Sequence, residues 1–131
     1  MKYEEGETFS KKFLITEHKV ESFALITGDV NPIHLDQEYA KNTVFKERIS
    51  HGMLVASCIS NVIANDLPGP GSIYLSQNLN FKKPVFLGDM VNVVVEITKI
   101  KEEKKIMFLK TQCLDDEEDI VIDGEAVVKF N

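Results

Sequence analysis

Cysteine is scarce in this chain of 131 residues, which has only Cys58 and Cys113 and no Cys-x-x-Cys pair. Two cysteines are too few for a disulfide framework, and both lie in apolar surroundings. We therefore expect buried thiols in a reducing compartment. Basic residues are also few, with 15 Lys and Arg against 21 Asp and Glu and a formal net charge of −6. This balance disfavours nucleic acid as a partner.

Long apolar runs are missing too, and no basic, then apolar leader opens the chain, which begins with the polar and acidic residues 2–5. We therefore expect a cytoplasmic protein that does not span a membrane. Apolar residues make up 44% of the sequence and charged residues 27%, as in a folded globular protein. With no repeat, linker or low-complexity tract, residues 1–131 are predicted to form a single domain.

Helical patterns fill the first half of the chain after one predicted strand over residues 8–15. Thr16 is a candidate N-cap, apolar residues recur at helical spacing, and Gly28 ends this helix. Residues 29–34 are expected to be irregular because Pro32 lacks an amide donor, and Asp36 is expected to cap a short helix that extends to Lys41. Residues 50–66 form an apolar stretch without proline, which predicts a long buried helix.

Strand patterns dominate after Gly71, with polar and apolar residues alternating over four stretches: residues 73–81, 91–97, 107–113 and 126–130. The predicted fold class is therefore α+β, with an antiparallel sheet wrapped around one long central helix. So short a chain cannot also cover the outer edges of its sheet, and a second subunit is the expected cover.

Asp29 and His34 form the first group with chemical potential, because they flank a loop stiffened by Pro32. A carboxylate and an imidazole that converge on one water molecule can take up a proton and deliver one. Two other interpretations stay open. Asp29 caps a turn while His34 is a structural histidine, or Asp29, His34 and Asp36 supply metal ligands, although no fourth ligand is evident.

A second group lies at the start of the long helix, where His51 precedes Gly52. The amide of Gly52 would be free at the positive end of the helix dipole and could stabilise an enolate oxygen. The plain alternative is a glycine that only permits tight packing. Ser57 and Ser60, one turn apart on the same helix, add hydroxyl groups, although a buried serine usually bonds to its own helix.

These residues together resemble a known family. The matching motifs are Gly28-Asp29-x-Asn31-Pro32-x-His34, His51-Gly52-Met53-Leu54, Leu67-Pro68-Gly69, Pro84-Val85-Phe86, Gly88-Asp89 and Gly124-Glu125-Ala126. In this combination they resemble the MaoC-like hotdog proteins, and more narrowly their short (R)-specific enoyl-CoA hydratases. The resemblance covers nearly the whole chain.

The resemblance implies a hotdog fold, a homodimer with active sites near the subunit interface, and reversible syn hydration of a trans-2-enoyl-CoA to the (R)-3-hydroxyacyl-CoA. Asp29 and His34 match the catalytic pair, and Gly52 matches the residue whose amide polarises the thioester carbonyl. Asn31 and Ser60 match residues that support the catalytic loop. No metal or redox cofactor is implied, since coenzyme A belongs to the substrate.

Two other functions remain as hypotheses on the same fold. A hotdog thioesterase would activate water against the thioester carbonyl, and a non-catalytic acyl-CoA binding module would use the pocket without turnover. The Asp29 and His34 pair favours hydration, because hydration needs both a base and an acid.

Overall fold

Residues 2–131 are described by a computed structural model, in which one strand and four helices are followed by five strands. The strands are β1 (Thr8–Leu14), β2 (Ile73–Gln77), β3 (Asn80–Phe81), β4 (Met90–Lys101), β5 (Ile106–Leu114) and β6 (Ile120–Lys129). The α-helices are α1 (Glu17–Thr27), α2 (Pro32–Leu35), α3 (Gln37–Lys41) and α4 (Gly52–Asn65). A short 3-10 turn, Glu102–Lys104, joins β4 to β5.

The strands form one antiparallel sheet in the order β1-β4-β5-β6-β2, with β3 paired to β6. Helix α4 packs against β4, β5 and β1. Alternate residues of β4 face that helix and are fully or almost fully buried: Val91, Val93, Val95 and Ile97. The α+β hotdog prediction is therefore confirmed, because the alternating strands bury one face of the sheet against the long apolar helix.

Local sequence signals fix the ends of the first helices. The Thr16 hydroxyl caps α1 by accepting a hydrogen bond from the Lys19 amide at 3.1 Å. The Asp36 carboxylate caps α3 by accepting one from the Tyr39 amide at 3.2 Å. Both predicted caps are confirmed, and each satisfies an amide that has no partner inside its helix.

Three expectations need correction. Residues 29–34 are not irregular throughout, because Pro32 begins the helical turn α2. The amide hydrogen that proline lacks would have no partner at the first position of a helix, so proline is tolerated there. Residues 73–81 are not one strand, since the pairing with β6 shifts between Tyr74 and Ser76 and then breaks before β3. The final strand begins at Ile120 and not near Ala126.

Helix α4 is not covered all round by its own chain. Its inner face is buried, but Met53, Ser57 and Ser60 are exposed on the opposite face. Both cysteines are buried and unpaired, as expected. No helix within residues 2–131 is long and apolar enough to cross a membrane.

Gly124 of β6 lies where β2 and β3 bend apart. A Cβ atom there would overlap the carbonyl oxygen of Asn78, which is backbone and cannot move aside cheaply. Asn78 is fixed by two hydrogen bonds to the next residue of β6: its amide donates to the Glu125 carbonyl oxygen at 3.0 Å, and its side-chain oxygen accepts from the Glu125 amide at 3.1 Å.

Gly124→Ala is therefore expected to lower the free energy of unfolding by about 1–3 kcal/mol, the usual cost of forcing an extra methyl group into a packed site. Urea denaturation followed by circular dichroism measures the change. Glu125→Ala is the matched control on the same strand, because the Glu125 side chain is exposed. Equal stability of the wild type and Gly124→Ala would contradict this account of the bend.

Candidate active site

The Asp29 carboxylate is placed by the loop that follows α1. The Asp29 amide donates to the Thr27 hydroxyl oxygen at 3.1 Å, and that hydroxyl donates to the Phe23 carbonyl oxygen at 2.7 Å. One carboxylate oxygen of Asp29 accepts a hydrogen bond from the Asn31 amide at 3.4 Å. Asp29 thus does cap a turn, as the plain alternative held, while its second carboxylate oxygen is left for another partner.

Asn31 sets the direction of the chain into α2. Its side-chain oxygen accepts a hydrogen bond from the Ile33 amide at 3.2 Å, which makes it the N-cap of this helical turn. Pro32 is the first residue of the turn. This geometry carries His34 inward, where the residue is only 9% exposed.

The His34 ring is held in one tautomer. Its Nδ1 lies 2.8 Å from the Ile49 carbonyl oxygen, which can only accept, so Nδ1 carries the hydrogen. The opposite nitrogen, Nε2, then presents a lone pair. Burial lowers the pKa of His34, and the nearby His51 adds to this, whereas the bond to Ile49 and the charge of Asp29 oppose it. The net lowered pKa favours a neutral ring at neutral pH.

Residues 48–51, which we call the tether segment, connect residues 29–34, the predicted catalytic loop, to α4. The Arg48 Nε donates to the His34 carbonyl oxygen at 2.8 Å. The Ile49 amide donates to the Ile33 carbonyl oxygen at 3.2 Å. Two of these bonds hold the backbone of α2. The bond from the His34 ring to the Ile49 carbonyl oxygen holds a side chain of the same helical turn.

The tether segment is itself fixed to other parts of the protein. The Ser50 amide donates to the Val85 carbonyl oxygen at 2.7 Å, and Ile49 forms an isolated antiparallel bridge with Phe86. On the outer side, the Arg48 Nη1 forms an ion pair with the Glu17 carboxylate of α1 at 3.0 Å. Through the tether segment, the catalytic loop is therefore attached to helix α1 and to the segment that contains Val85 and Phe86.

His51 reaches back from the start of α4 to the catalytic loop. Its Nε2 lies 3.0 Å from the Asp29 carbonyl oxygen, and its ring stacks on the His34 ring with centroids 3.9 Å apart. Phe23 covers it from another side at 4.9 Å. His51 is 2% exposed, and its Nδ1 is buried with no hydrogen-bond partner among the described residues.

One ligand atom from each of Asp29, His34 and His51 lies within 4.8 Å of the others. The earlier metal hypothesis used Asp36 as the third residue, but that carboxylate caps α3. Stacked rings direct their in-plane lone pairs along nearly parallel planes, not toward one ion, and the Nε2 of His51 is already committed to a carbonyl oxygen. The arrangement therefore favours an acid–base pair over a metal centre.

Gly52 is the first residue of α4, so its amide has no carbonyl partner within the helix. It lines a cleft of about 290 Å³ together with five other residues: Asp29, His34, His51, Met53 and Phe81. A Cβ atom on Gly52 would lie 2.8 Å from the Phe81 ring. The predicted pair and the predicted amide thus share one cleft.

Ser60 lies apart from this cleft. It lines an apolar pocket of about 510 Å³ with residues of α1, α4, β2 and the segment after β2. Within residues 2–131 the side-chain hydrogen bonds to the backbone of residues 29–34 come from five other residues and none comes from Ser60: Thr27, Asp29, Asn31, Arg48 and His51. The supporting role of Ser60 stays a prediction. Ser57 is exposed, and its hydroxyl donates to the Leu54 carbonyl oxygen of its own helix at 2.6 Å.

Sequence reasoning missed Arg48 and the ring of His51. His51 drew notice only as the residue before Gly52, and Arg48 drew none. Their partners are 14 and 22 positions away along the chain, and no local pattern encodes such pairings. The available signal was an arginine and a histidine within four residues of the start of an apolar helix.

The α+β fold of this chain is shared with known proteins. Residues 2–118 match the family described as MaoC like domain. This chain belongs to that family, which confirms the resemblance read from the motifs.

Its likeness extends to individual members. The chain is 47% identical to an "(R)-specific enoyl-CoA hydratase" of Aeromonas caviae over 92% of its own length and 89% of that protein. It is 45% identical to a protein of the same name from Rhodospirillum rubrum, over 95% and 85% of the two chains. A solved (R)-hydratase of A. caviae, described as involved in PHA biosynthesis, superposes with a TM-score of 0.96 at 42% identity, covering 98% of both chains.

Proposed function

We propose that this protein is an (R)-specific enoyl-CoA hydratase, which reversibly adds water in the syn sense to a trans-2-enoyl-CoA and gives the (R)-3-hydroxyacyl-CoA. The observation that carries the proposal is the shared cleft, in which the Asp29 carboxylate, the open nitrogen of His34 and the amide of Gly52 meet. The names of the similar proteins support the substrate class and the stereochemistry.

The acid–base pair suits a bound water molecule. The Nε2 of His34 and the unbonded oxygen of Asp29 both accept hydrogen bonds, so together they can hold the two hydrogens of one water. As the water oxygen bonds to C3 of the enoyl group, one of its protons passes to the pair. The pair then delivers a proton to C2 on the same face, and the two groups act as a coupled unit.

The Gly52 amide suits the charge that forms during this step. When the oxygen–C3 bond forms, the electrons of the double bond move toward C2 and onto the thioester oxygen, which becomes an enolate. An unbonded amide at the positive end of α4 stabilises that oxygen. The electrons return as the C2–hydrogen bond forms, so no electron acceptor is required.

Two further clefts adjoin the catalytic one on different sides. One, of about 350 Å³, shares Gly52 and Phe81 with it and has Lys82 and Lys83 on its rim. The other is the apolar pocket of about 510 Å³, which shares Met53. A thioester carbonyl at Gly52 would therefore place the coenzyme arm in the cleft that carries the two lysines, and the acyl chain in the apolar pocket.

The two lysines of the 350 Å³ cleft differ in their partners. The Lys83 ammonium bonds to the carboxylates of Asp115 and Asp119 at 2.9 and 3.1 Å, and these bonds raise the pKa of Lys83 to about 12. Lys82 has no carboxylate partner among the described residues. Lys82 is therefore the better candidate for a coenzyme phosphate, while the acidic turn after β5 neutralises Lys83.

The proposal includes no metal and no redox cofactor, since every proton and electron in the step is supplied by water, substrate and the residues named. The two buried, unpaired thiols support a cytoplasmic location, because cytoplasmic proteins keep their thiols reduced.

Asp29→Asn and His34→Ala are each expected to lower kcat by about 10²-fold to 10⁴-fold, the usual contribution of an acid or base. The assay follows the loss of the conjugated thioester absorbance of crotonyl-CoA, with chiral analysis of the product. Protein dialysed against EDTA should retain full activity. Wild-type activity in both variants would contradict the assigned roles.

The same assay separates the two alternative functions. A thioesterase would release free coenzyme A, which a thiol reagent detects, whereas a hydratase leaves the thioester intact. Saturable binding of enoyl-CoA without turnover at any chain length would indicate a binding module. The pair favours hydration because it can take a proton from water and deliver one to C2 within one cleft.

Gly52→Ala is expected to lower kcat/KM on the order of 10²-fold, because the new methyl group displaces the Phe81 ring and keeps the thioester carbonyl away from the amide. The melting temperature should change little, since alanine is well tolerated in a helix and the displaced ring is half exposed. Met53→Leu, beside it in the cleft, is the control for packing. A Gly52→Ala variant with wild-type kcat/KM would argue against the oxyanion role.

We also propose that the protein is a homodimer. Strand β2 lies at one edge of the sheet, and its Ile73 and Leu75 are 58% and 51% exposed. The exposed face of α4, with Met53 at 57%, lies across the apolar pocket from that strand. A second copy joined along β2 would pair the open strand edge and cover both surfaces.

Ile73→Glu is therefore expected to give a monomer of 14.8 kDa, because a charge on β2 would have to be desolvated at the interface. Light scattering after size-exclusion chromatography measures the mass. Leu14→Glu is the matched control, since Leu14 is 43% exposed on β1, the opposite edge strand. A monomeric wild type, or a dimeric Ile73→Glu variant, would contradict the proposed interface.

A further inference from the structure

His51 makes contacts that the proposed reaction does not use. Its ring touches both members of the acid–base pair, through a hydrogen bond to the backbone of Asp29 and a stacking contact with the ring of His34. It is also the N-cap residue of α4, but its side chain makes no capping hydrogen bond. The imidazole therefore serves something other than the helix end.

The hydrogen bond to Asp29 fixes the tautomer of His51. A carbonyl oxygen can only accept, so the hydrogen lies on Nε2 and the lone pair on Nδ1. The Nδ1 atom is buried and has no hydrogen-bond partner among the described residues. A proton added there would create a buried N–H group with no acceptor, which is costly.

Stacking adds a second constraint. With ring centroids 3.9 Å apart and planes at 30°, a positive charge on one ring lies directly against the other. Phe23 covers His51 with an apolar ring at 4.9 Å and supplies no counter-charge. The charged groups around the stack are Asp29, which is exposed, and Arg48, which lies behind the His34 backbone and is paired with Glu17.

We propose that His51 is a positioning residue for the acid–base pair. Its Nε2–H group holds the backbone of Asp29, its ring holds His34 by stacking, and the close stacking disfavours a positive charge on both rings at once. This keeps the open nitrogen of His34 available to water, and it rests on the hydratase function proposed above. The two motif residues His51 and Gly52 then serve the same reaction, one by its side chain and one by its amide.

Burial also lowers the pKa of His34, and His51 lowers it further. A lowered pKa means that the neutral ring persists to more acidic pH. Removing the imidazole of His51 removes a second chargeable ring, so the pKa of His34 should rise and activity should be lost at less acidic pH than in the wild type.

The ring nitrogens can be observed directly in the wild type. The chain has three histidines, and His18→Gln, at an exposed position of α1, assigns one of them without touching the cleft. Two-dimensional ¹H–¹⁵N spectra of the side chains at pH 7 should show His51 as the neutral Nε2–H tautomer and His34 as the neutral Nδ1–H tautomer. A cationic His51, or a His51 with its hydrogen on Nδ1, would overturn the proposal.

Two variants separate the hydrogen bond from the ring. His51→Gln keeps a donor near the position of Nε2 and loses the ring, whereas His51→Phe keeps the ring and loses the donor. We expect kcat to fall between about 10-fold and 10²-fold in His51→Phe and to fall less in His51→Gln, with KM little changed in both. The acidic limb of the pH profile should move to higher pH in both variants.

A purely structural role would instead lower the melting temperature of both variants and leave the acidic limb of the pH profile of kcat where it is in the wild type. That result would overturn the proposal. If both variants fail to fold, the tautomers of the wild type still decide it. If the wild type shows no hydratase activity, the function proposed above fails, while the spectra still test the arrangement of the two rings.

Discussion

The catalytic loop of this protein depends on the tether segment, residues 48–51, which lies between it and α4. Arg48 and Ile49 bond to α2, and His51 bonds to the backbone of Asp29. The same segment is fixed to the rest of the fold at Val85 and Phe86 and then becomes the first turn of α4. The acid–base pair and the amide of Gly52 are therefore positioned by one short stretch of backbone, so their relative geometry does not depend on a flexible loop.

Much of this architecture follows from local patterns. The alternation of polar and apolar residues predicted which strand side chains are buried. It could do so because one face of the sheet packs against a single apolar helix, so every second residue must be apolar. Thr16 and Asp36 cap the helices that their positions predicted. Asp29 and His34 could be paired in advance because only four residues separate them and Pro32 restricts the path between them.

Other features depend on contacts between distant residues. The break between β2 and β3 arises where Asn78 bonds to Glu125, 47 positions later. The sequence around Asn78 contains no local pattern that predicts this break. The helical turn α2 was missed because the proline was taken as a breaker, although the first position of a helix suits it. The roles of Arg48 and His51 depend on the fold bringing the tether segment to the loop, and a single sequence does not encode that distance.

The tether segment also concentrates the unfavourable burial in the molecule. Among residues 2–131, the buried side-chain nitrogens without a hydrogen-bond partner are the Nη2 of Arg48 and the Nδ1 of His51, three positions apart. Each such group costs about 1–3 kcal/mol, and a site selected only for stability would replace them with apolar side chains. Both residues instead use another nitrogen to hold the catalytic loop. The buried nitrogens without a partner therefore lie where the proposed chemistry requires fixed geometry. Functional sites are where proteins most often break the rule that buried polar groups are hydrogen-bonded.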